Sequence, residues 1–92
     1  MESGSSSVLP PGWSGDERRI AKIFTFASFP QAIAFMVEVA FFCEAANHHP
    51  DWTNTYRRVS VELTTHDAGR VTEKDLRLAR HMDEVHGRLT GR

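Results

Sequence analysis

One long apolar segment, residues 28–47, constrains the fold more than any other feature of the chain. Within residues 32–43 the single residue that is not apolar is Glu38, and the apolar side chains form two adjacent stripes at helical spacing. The segment opens with Ser-Phe-Pro-Gln, which is typical of a helix N-terminus, and Pro50 disfavours helical geometry shortly after Asn47. We therefore predict a helix that ends near Asn47 and is buried on more than one side.

A membrane span is the alternative interpretation of this segment. A transmembrane helix needs about 20 consecutive apolar residues, and Glu38 and Glu44 interrupt the run. A helix with one face in the core and another at an interface between subunits explains the pattern better. The sequence thus predicts a homo-oligomer with no membrane partner.

The residue pattern outside this helix predicts a sheet with one face exposed to solvent. A short extended piece is expected at Gly-Trp-Ser-Gly, and residues 18–28 read as a strand with apolar side chains on both faces. Residues 54–65 form the clearest strand, because Val59, Val61 and Leu63 alternate with polar neighbours. The turn that follows contains Gly69.

A second helix is predicted over residues 72–89, with Thr72 as its cap and Glu73 and Asp75 favouring the positive end of its dipole. Gly87 suits its end. Its core-facing residues are expected to be Leu76, Ala79, Met82 and Val85. The element order predicts an α+β domain with helices packed on one face of an antiparallel sheet.

The composition is that of a globular domain. The 92 residues are 40% apolar and 25% charged, which fits one globular domain over residues 13–92 after a flexible lead-in at residues 1–12. A net charge of −1 gives no reason to expect nucleic acid as a partner. The lone cysteine, Cys43, and an N-terminus without a basic or apolar start favour the cytoplasm.

The stretch Asn-His-His-Pro-Asp-Trp, residues 47–52, is the strongest candidate for chemistry. His48 and His49 leave the first helix at a corner fixed by a proline, and His66 ends the clearest strand. Imidazoles so placed can act as acid and base, while Glu44 orients a ligand and Trp52 stacks on a flat ring.

Each of these residues also has a purely structural interpretation. Isolated histidines are commonly surface or capping residues, Trp52 and Tyr56 can pack beneath the sheet, and Asp75 can be an ordinary first-turn residue. A metal site at the three histidines is the chemical alternative. It is disfavoured, because the helical pair at a spacing of four and a cysteine cluster are both missing.

The chain resembles the pterin-4a-carbinolamine dehydratases in seven positions over 32 residues, and the likeness extends from the Leu-Pro-Pro-Gly-Trp stretch to about Val85. An acidic residue is followed at fixed spacing by His-His-Pro, an aromatic residue, a third histidine and an aspartate. Here these are Glu44, His48, His49, Pro50, Tyr56, His66 and Asp75. Two departures stand out: Asn47 replaces an aspartate that contacts the pterin in some members, and Arg70 replaces a common second glycine.

The resemblance implies dehydration of 4a-hydroxytetrahydropterin to quinonoid dihydropterin without a metal or organic cofactor. His48, His49 and His66 would form the acid–base set, with acid and base roles left open. Substrate contacts would come from Glu44, Asn47, Pro50 and Trp52.

The resemblance also implies a fold and an assembly. The fold would have three helices on a four-stranded antiparallel sheet, and the residues around 48–52 would supply the short third helix. The assembly would be a homodimer or homotetramer. Animal members also bind a homeodomain transcription factor, so a protein-interaction module with a secondary pterin pocket is the second hypothesis.

Overall fold

The computed structural model describes residues 9–91, which form four strands and two helices. Most of the predicted lead-in, residues 1–8, lies outside the described residues. The elements are β1 (Ser14–Gly15), β2 (Ile20–Thr25), α1 (Phe29–Ala46), β3 (Asp51–Thr55), β4 (Arg58–Leu63) and α2 (Glu73–Leu89). This content confirms the predicted α+β class.

The four strands form one antiparallel sheet in the order β1-β2-β4-β3. Strand β4 shows the predicted alternation, with Val59, Val61 and Leu63 buried and the intervening side chains exposed. These residues join Ile20 and Phe24 of β2 in a core that also takes side chains from both helices. Both helices therefore lie on the same face of the sheet, as predicted.

Helix α1 begins and ends where the sequence predicted. The Ser28 hydroxyl accepts a hydrogen bond from the Gln31 N–H at 3.2 Å, and the Gln31 side chain accepts one from the Ala27 N–H at 2.9 Å. At the other end Asn47 has φ 53° and ψ 46°, the left-handed conformation that asparagine tolerates better than most residues. The chain leaves the helix abruptly at this residue.

The two apolar stripes of α1 have different environments. The first is buried in the core through Ala32, Phe35, Val39 and Cys43. The second is exposed, with Ile33, Val37 and Phe41 at 36%, 52% and 75% of their full accessibility. By length and composition alone, the helix is also long and apolar enough to cross a membrane. The core explains the first stripe, and the second is a bare apolar surface on the single chain.

Two predictions for the region after α1 were wrong. Residues 54–65 do not form one strand, because a two-residue turn at Tyr56 and Arg57 separates β3 from β4. Residues 51–55 form strand β3 rather than a short helix, and residues 9–91 contain no third helix. Residues 51–55 adopt the extended conformation because a strand here pairs with the outer edge of β4. A helix would leave the backbone groups of that edge without hydrogen-bond partners.

Helix α2 starts at the predicted cap, and Ala79, Met82 and Val85 face the core as predicted. Thr72 and Asp75 form a reciprocal capping box, and Leu78 is buried where the prediction had Leu76, which is half-buried. The fully buried positions are Asp75, Leu78, Ala79, Met82 and Val85. The helix ends at Leu89, the last residue of the predicted range, and it continues through Gly87, which was expected to mark its end.

Candidate active site

An open cleft of about 240 Å³ lies where the exit of α1, the turn after β4 and the first turn of α2 meet. It is lined by Asn47, His48, His49, Thr65, His66, Asp67 and Lys74. The three predicted histidines therefore line one cleft, although residue 66 is far from the other two along the chain.

His48 is the most enclosed of these three histidines. The left-handed turn at Asn47 carries the chain out of α1, and the His48 N–H donates to the Cys43 carbonyl at 3.1 Å. The His48 side chain is 11% exposed, and its Nε2 lies 2.6 Å from Oδ1 of Asp75. A backbone bond and a side-chain bond thus fix both the position and the direction of the ring.

Asp75 was named in the sequence as a first-turn helix residue, but the structure gives it a larger role. Its carboxylate is fully buried, and Oδ2 accepts hydrogen bonds from the Thr65 hydroxyl at 2.6 Å and the Thr72 N–H at 2.9 Å. With His48 on Oδ1, each oxygen has a protein partner, as a buried carboxylate requires. This contact between Asp75 and His48 was missed by the sequence prediction.

His49 and His66 face solvent. The His66 side chain is 74% exposed, and its Nε2 is 3.9 Å from Oδ2 of Asp51, too far for a hydrogen bond. His49 is exposed as well. These two rings are free to approach a ligand, whereas the ring of His48 is held by the protein.

The other predicted site residues are divided between the cleft and its surroundings. Asn47 lines the cleft, but Glu44, Pro50 and Trp52 are not among the lining residues. Trp52 is the cross-strand partner of Val61 and packs half-buried against the core, on the helix side of the sheet.

Glu44 and His48 lie four positions apart, a spacing that would bring them together on a continuous helix, but they form no hydrogen bond or ion pair within residues 9–91. Glu44 is exposed on the last turn of α1, and the left-handed turn at Asn47 takes His48 off the helix, so the spacing of four no longer brings them together. His48 pairs with Asp75 instead.

A metal site at the three histidines is the chemical alternative to a set of acid–base groups. Within residues 9–91 no group of three or more histidine, cysteine, aspartate or glutamate side chains is placed to hold a metal ion. What the cleft does offer is one imidazole bound to a buried carboxylate and two exposed imidazoles, groups that donate and accept protons near neutral pH.

Comparison with protein families matches residues 2–85 to the family described as Pterin 4 alpha carbinolamine dehydratase. Among curated relatives, two bacterial proteins carry the provisional name pterin-4-alpha-carbinolamine dehydratase. The protein from Chloroflexus aurantiacus is 53% identical over 84% of this chain and 83% of its own. The one from Rhodopseudomonas palustris is 49% identical over 89% of this chain and 83% of its own.

Solved structures show the same architecture. A transcriptional coactivator/pterin dehydratase from Brucella melitensis superposes with a TM-score of 0.81 and 39% identity, covering 84% of each chain. A pterin dehydratase-like protein identified as a RuBisCO assembly factor superposes with a TM-score of 0.68 and 24% identity, over 82% of this chain and 87% of its own. The second likeness supports the fold alone.

Proposed function

Because this chain belongs to the pterin 4 alpha carbinolamine dehydratase family, we propose that it dehydrates 4a-hydroxytetrahydropterin to quinonoid dihydropterin. The observation that carries the proposal is the meeting of His48, His49 and His66 in one cleft. The protein would be a hydro-lyase that returns oxidised pterin to the form from which tetrahydropterin is regenerated.

The reaction requires two proton transfers. The bond between a ring carbon and its hydroxyl breaks, the neighbouring ring nitrogen gives its electron pair to a new carbon–nitrogen double bond, and that nitrogen loses its proton. One imidazolium protonates the departing oxygen, which leaves as water, and one neutral imidazole takes the proton from nitrogen. The net change is loss of water, so the step needs no metal or organic cofactor.

Among the proposed substrate contacts, Asn47 has the most direct support because it lines the cleft. We assign it a hydrogen bond to the polar edge of the pterin. Pro50 would hold the corner that presents His48 and His49, while Glu44 and Trp52 flank the cleft along the chain. Their contact with the pterin is part of the proposal.

The test is a dehydration assay with enzymatically generated 4a-hydroxytetrahydropterin. We expect rapid turnover by the wild type and a fall of about 100-fold or more in kcat/KM for His48→Ala and for His66→Ala, because each removes a proton-transfer group. His86→Gln is the matched control: this ring bonds the Thr25 carbonyl at 2.9 Å, away from the cleft. Wild-type turnover no faster than the uncatalysed reaction would refute the enzyme.

A protein-interaction module is the second candidate function, and the exposed apolar stripe Ile33, Val37 and Phe41 favours it. The coactivator name of the Brucella protein agrees with a role in protein interactions.

We propose that this stripe is covered by another copy of the chain, giving a homodimer or homotetramer. We further propose that the protein acts in the cytoplasm, with neither nucleic acid nor membrane as a direct partner.

A further inference from the structure

The hairpin of β3 and β4 ends in a row of three exposed polar side chains on the face of the sheet opposite the helices. Thr55 and Arg58 are cross-strand partners, and Arg58 also pairs with Thr25 of β2. Directly paired side chains lie on the same face of a sheet. The next residue, Val59, is buried on the helix side. The Arg58 side chain therefore lies on the solvent side, between the two threonines.

These three side chains line an open cavity of about 190 Å³ together with Tyr56 and Arg57, and the five residues form the hairpin tip. Within residues 9–91, neither arginine forms an ion pair and neither threonine hydroxyl forms a hydrogen bond. Among the described residues, no carboxylate lines the cavity, and the one on β4, Glu62, is four positions or about 13 Å from Arg58. Two guanidinium groups and two hydroxyls without partners favour an anion here.

The backbone of the hairpin tip is held in an unusual conformation. Tyr56 has φ 54°, at a position where two-residue turns ordinarily take glycine or asparagine. The Asn54 side-chain amide donates to the carbonyls of Tyr56 and Arg58 at 3.1 and 3.0 Å. The Phe26 N–H donates to the Arg57 carbonyl at 2.9 Å. Both arginines are thus carried by a fixed backbone, and strain of this kind is concentrated at functional sites.

We propose that the hairpin tip binds the phosphate group of a small, soluble phosphate monoester. The planar Arg58 guanidinium donates two hydrogen bonds to two phosphate oxygens, and the flanking threonine hydroxyls donate to the oxygens that remain. Arg57, whose Cζ lies 5.5 Å from the centroid of the Tyr56 ring, supplies a second positive charge. The Tyr56 ring is 66% exposed and packs against the organic part of the ligand.

The hairpin tip is separate from the candidate active site. The cleft adjoins the start of β3, where Asp51 lies 3.9 Å from His66, and Thr55 ends the strand about 13 Å away. A ligand at the hairpin tip therefore leaves the cleft open. The proposal does not depend on the proposed dehydration, and either can fail without the other.

The test is an NMR titration of the ¹⁵N-labelled protein with phenyl phosphate, with the ionic strength held constant by sodium chloride. We expect saturable shifts of the backbone amides of residues 25 and 55–58. Arg58→Gln should weaken binding about 10-fold or more, because it removes charge-assisted hydrogen bonds. Arg77→Gln is the matched control: it removes the same charge from an exposed position on α2 and should leave the affinity unchanged.

The wild-type titration decides the proposal even if Arg58→Gln fails to fold, because a tip without saturable shifts would overturn it. Equal weakening by Arg58→Gln and Arg77→Gln would also overturn it, since the effect would then be a general attraction between charges. Inorganic phosphate that binds as tightly as phenyl phosphate would overturn the assignment of an ester. Binding to vesicles that contain phosphatidic acid, without any response to phenyl phosphate, would overturn the assignment of a soluble ligand.

Discussion

At the scale of single residues, the surroundings of each histidine decide what it can do. His48 is bonded to a buried carboxylate, and His86 is bonded to the Thr25 carbonyl at 2.9 Å. His81 stacks on Phe42 with ring centroids 4.2 Å apart, and its Nε2 is buried without a hydrogen-bond partner within the described residues. The same kind of side chain is thus a candidate acid–base group in one place and a packed ring in another.

His81 should make the protein sensitive to acid. Burial lowers its pKa below the ordinary value of 6.5, although Glu84 and Glu38 partly offset this. The unfolded chain therefore binds the proton more readily, so the neutral ring stabilises the fold fully above about pH 6.5 and loses that effect as the pH falls. His81→Phe keeps the stacked ring and removes the titration.

We expect the free energy of unfolding of His81→Phe to fall less than that of the wild type between about pH 7.5 and about pH 5.5. Denaturant unfolding at both pH values measures the difference. Comparison of the two proteins cancels the contribution of the other ionisable groups, and parallel losses of stability would contradict the prediction.

Burial acts on Cys43 in the opposite sense, because it disfavours the charged thiolate. It raises the pKa of this thiol to about 11. The side chain is 2% exposed in the core face of α1, so its role is packing, in agreement with the apolar stripe in which the sequence placed it.

At the scale of elements, regular periodicity was predictable and its interruptions were not. The alternation of β4 and both helix starts follow from local sequence. The turn at Tyr56 and Arg57 does not, because Tyr56 has φ 54°, a conformation that glycine or asparagine would favour and tyrosine does not. Pairing between β3 and β4 imposes this conformation. The sequence consequently predicted one strand over residues 54–65 and no strand over residues 51–53.

The candidate site shows the same limit. Its three histidines were predictable from a helix exit and a strand end, but the burial of Asp75 was not, because a carboxylate in a first turn is normally solvated. One signal was available. Asp75 lies seven residues before Met82, so the apolar stripe of α2, extended backwards, reaches a carboxylate. An acidic residue in register with the apolar stripe of a helix predicts a buried carboxylate that is hydrogen-bonded to another buried polar group.

A substitution in the turn between β3 and β4 should stabilise the fold. Tyr56 is 66% exposed and has φ 54°, a conformation that costs most side chains about 1–2 kcal/mol and asparagine less. We expect Tyr56→Asn to raise the free energy of unfolding by about 0.5–1 kcal/mol. Denaturant unfolding measures it, with Tyr56→Phe as the control that keeps both the ring and the strained backbone. Equal stability of the two variants would contradict this origin of the strain.

At the scale of the whole molecule, the exposed stripe of α1 is the feature that a single chain leaves unexplained. Ile33, Val37 and Phe41 recur every four residues on the face of the helix that points away from the core. A contiguous apolar surface of this kind usually marks an interaction site. The sheet and α2 already cover the other stripe, and we propose that a second copy of the chain covers this one.

We expect Phe41→Glu to shift the protein from an oligomer to a monomer, because it places a charge at the most exposed position of the stripe. Sedimentation velocity measures the change. Ala68→Glu, in the exposed turn before α2, adds the same charge elsewhere and should leave the assembly intact. A wild type that is already monomeric, or a Phe41→Glu chain that remains oligomeric, would show that the stripe is not the subunit contact.

The bond between His48 and Asp75 spans 27 positions of the chain and joins the exit of α1 to the first turn of α2. During synthesis the first helix and the whole sheet leave the ribosome before residue 75 does. Until the last helix docks, His48 therefore lacks the carboxylate that orients its ring. The last contact of the candidate site therefore forms only when the C-terminal helix docks, so a complete cleft requires a complete chain.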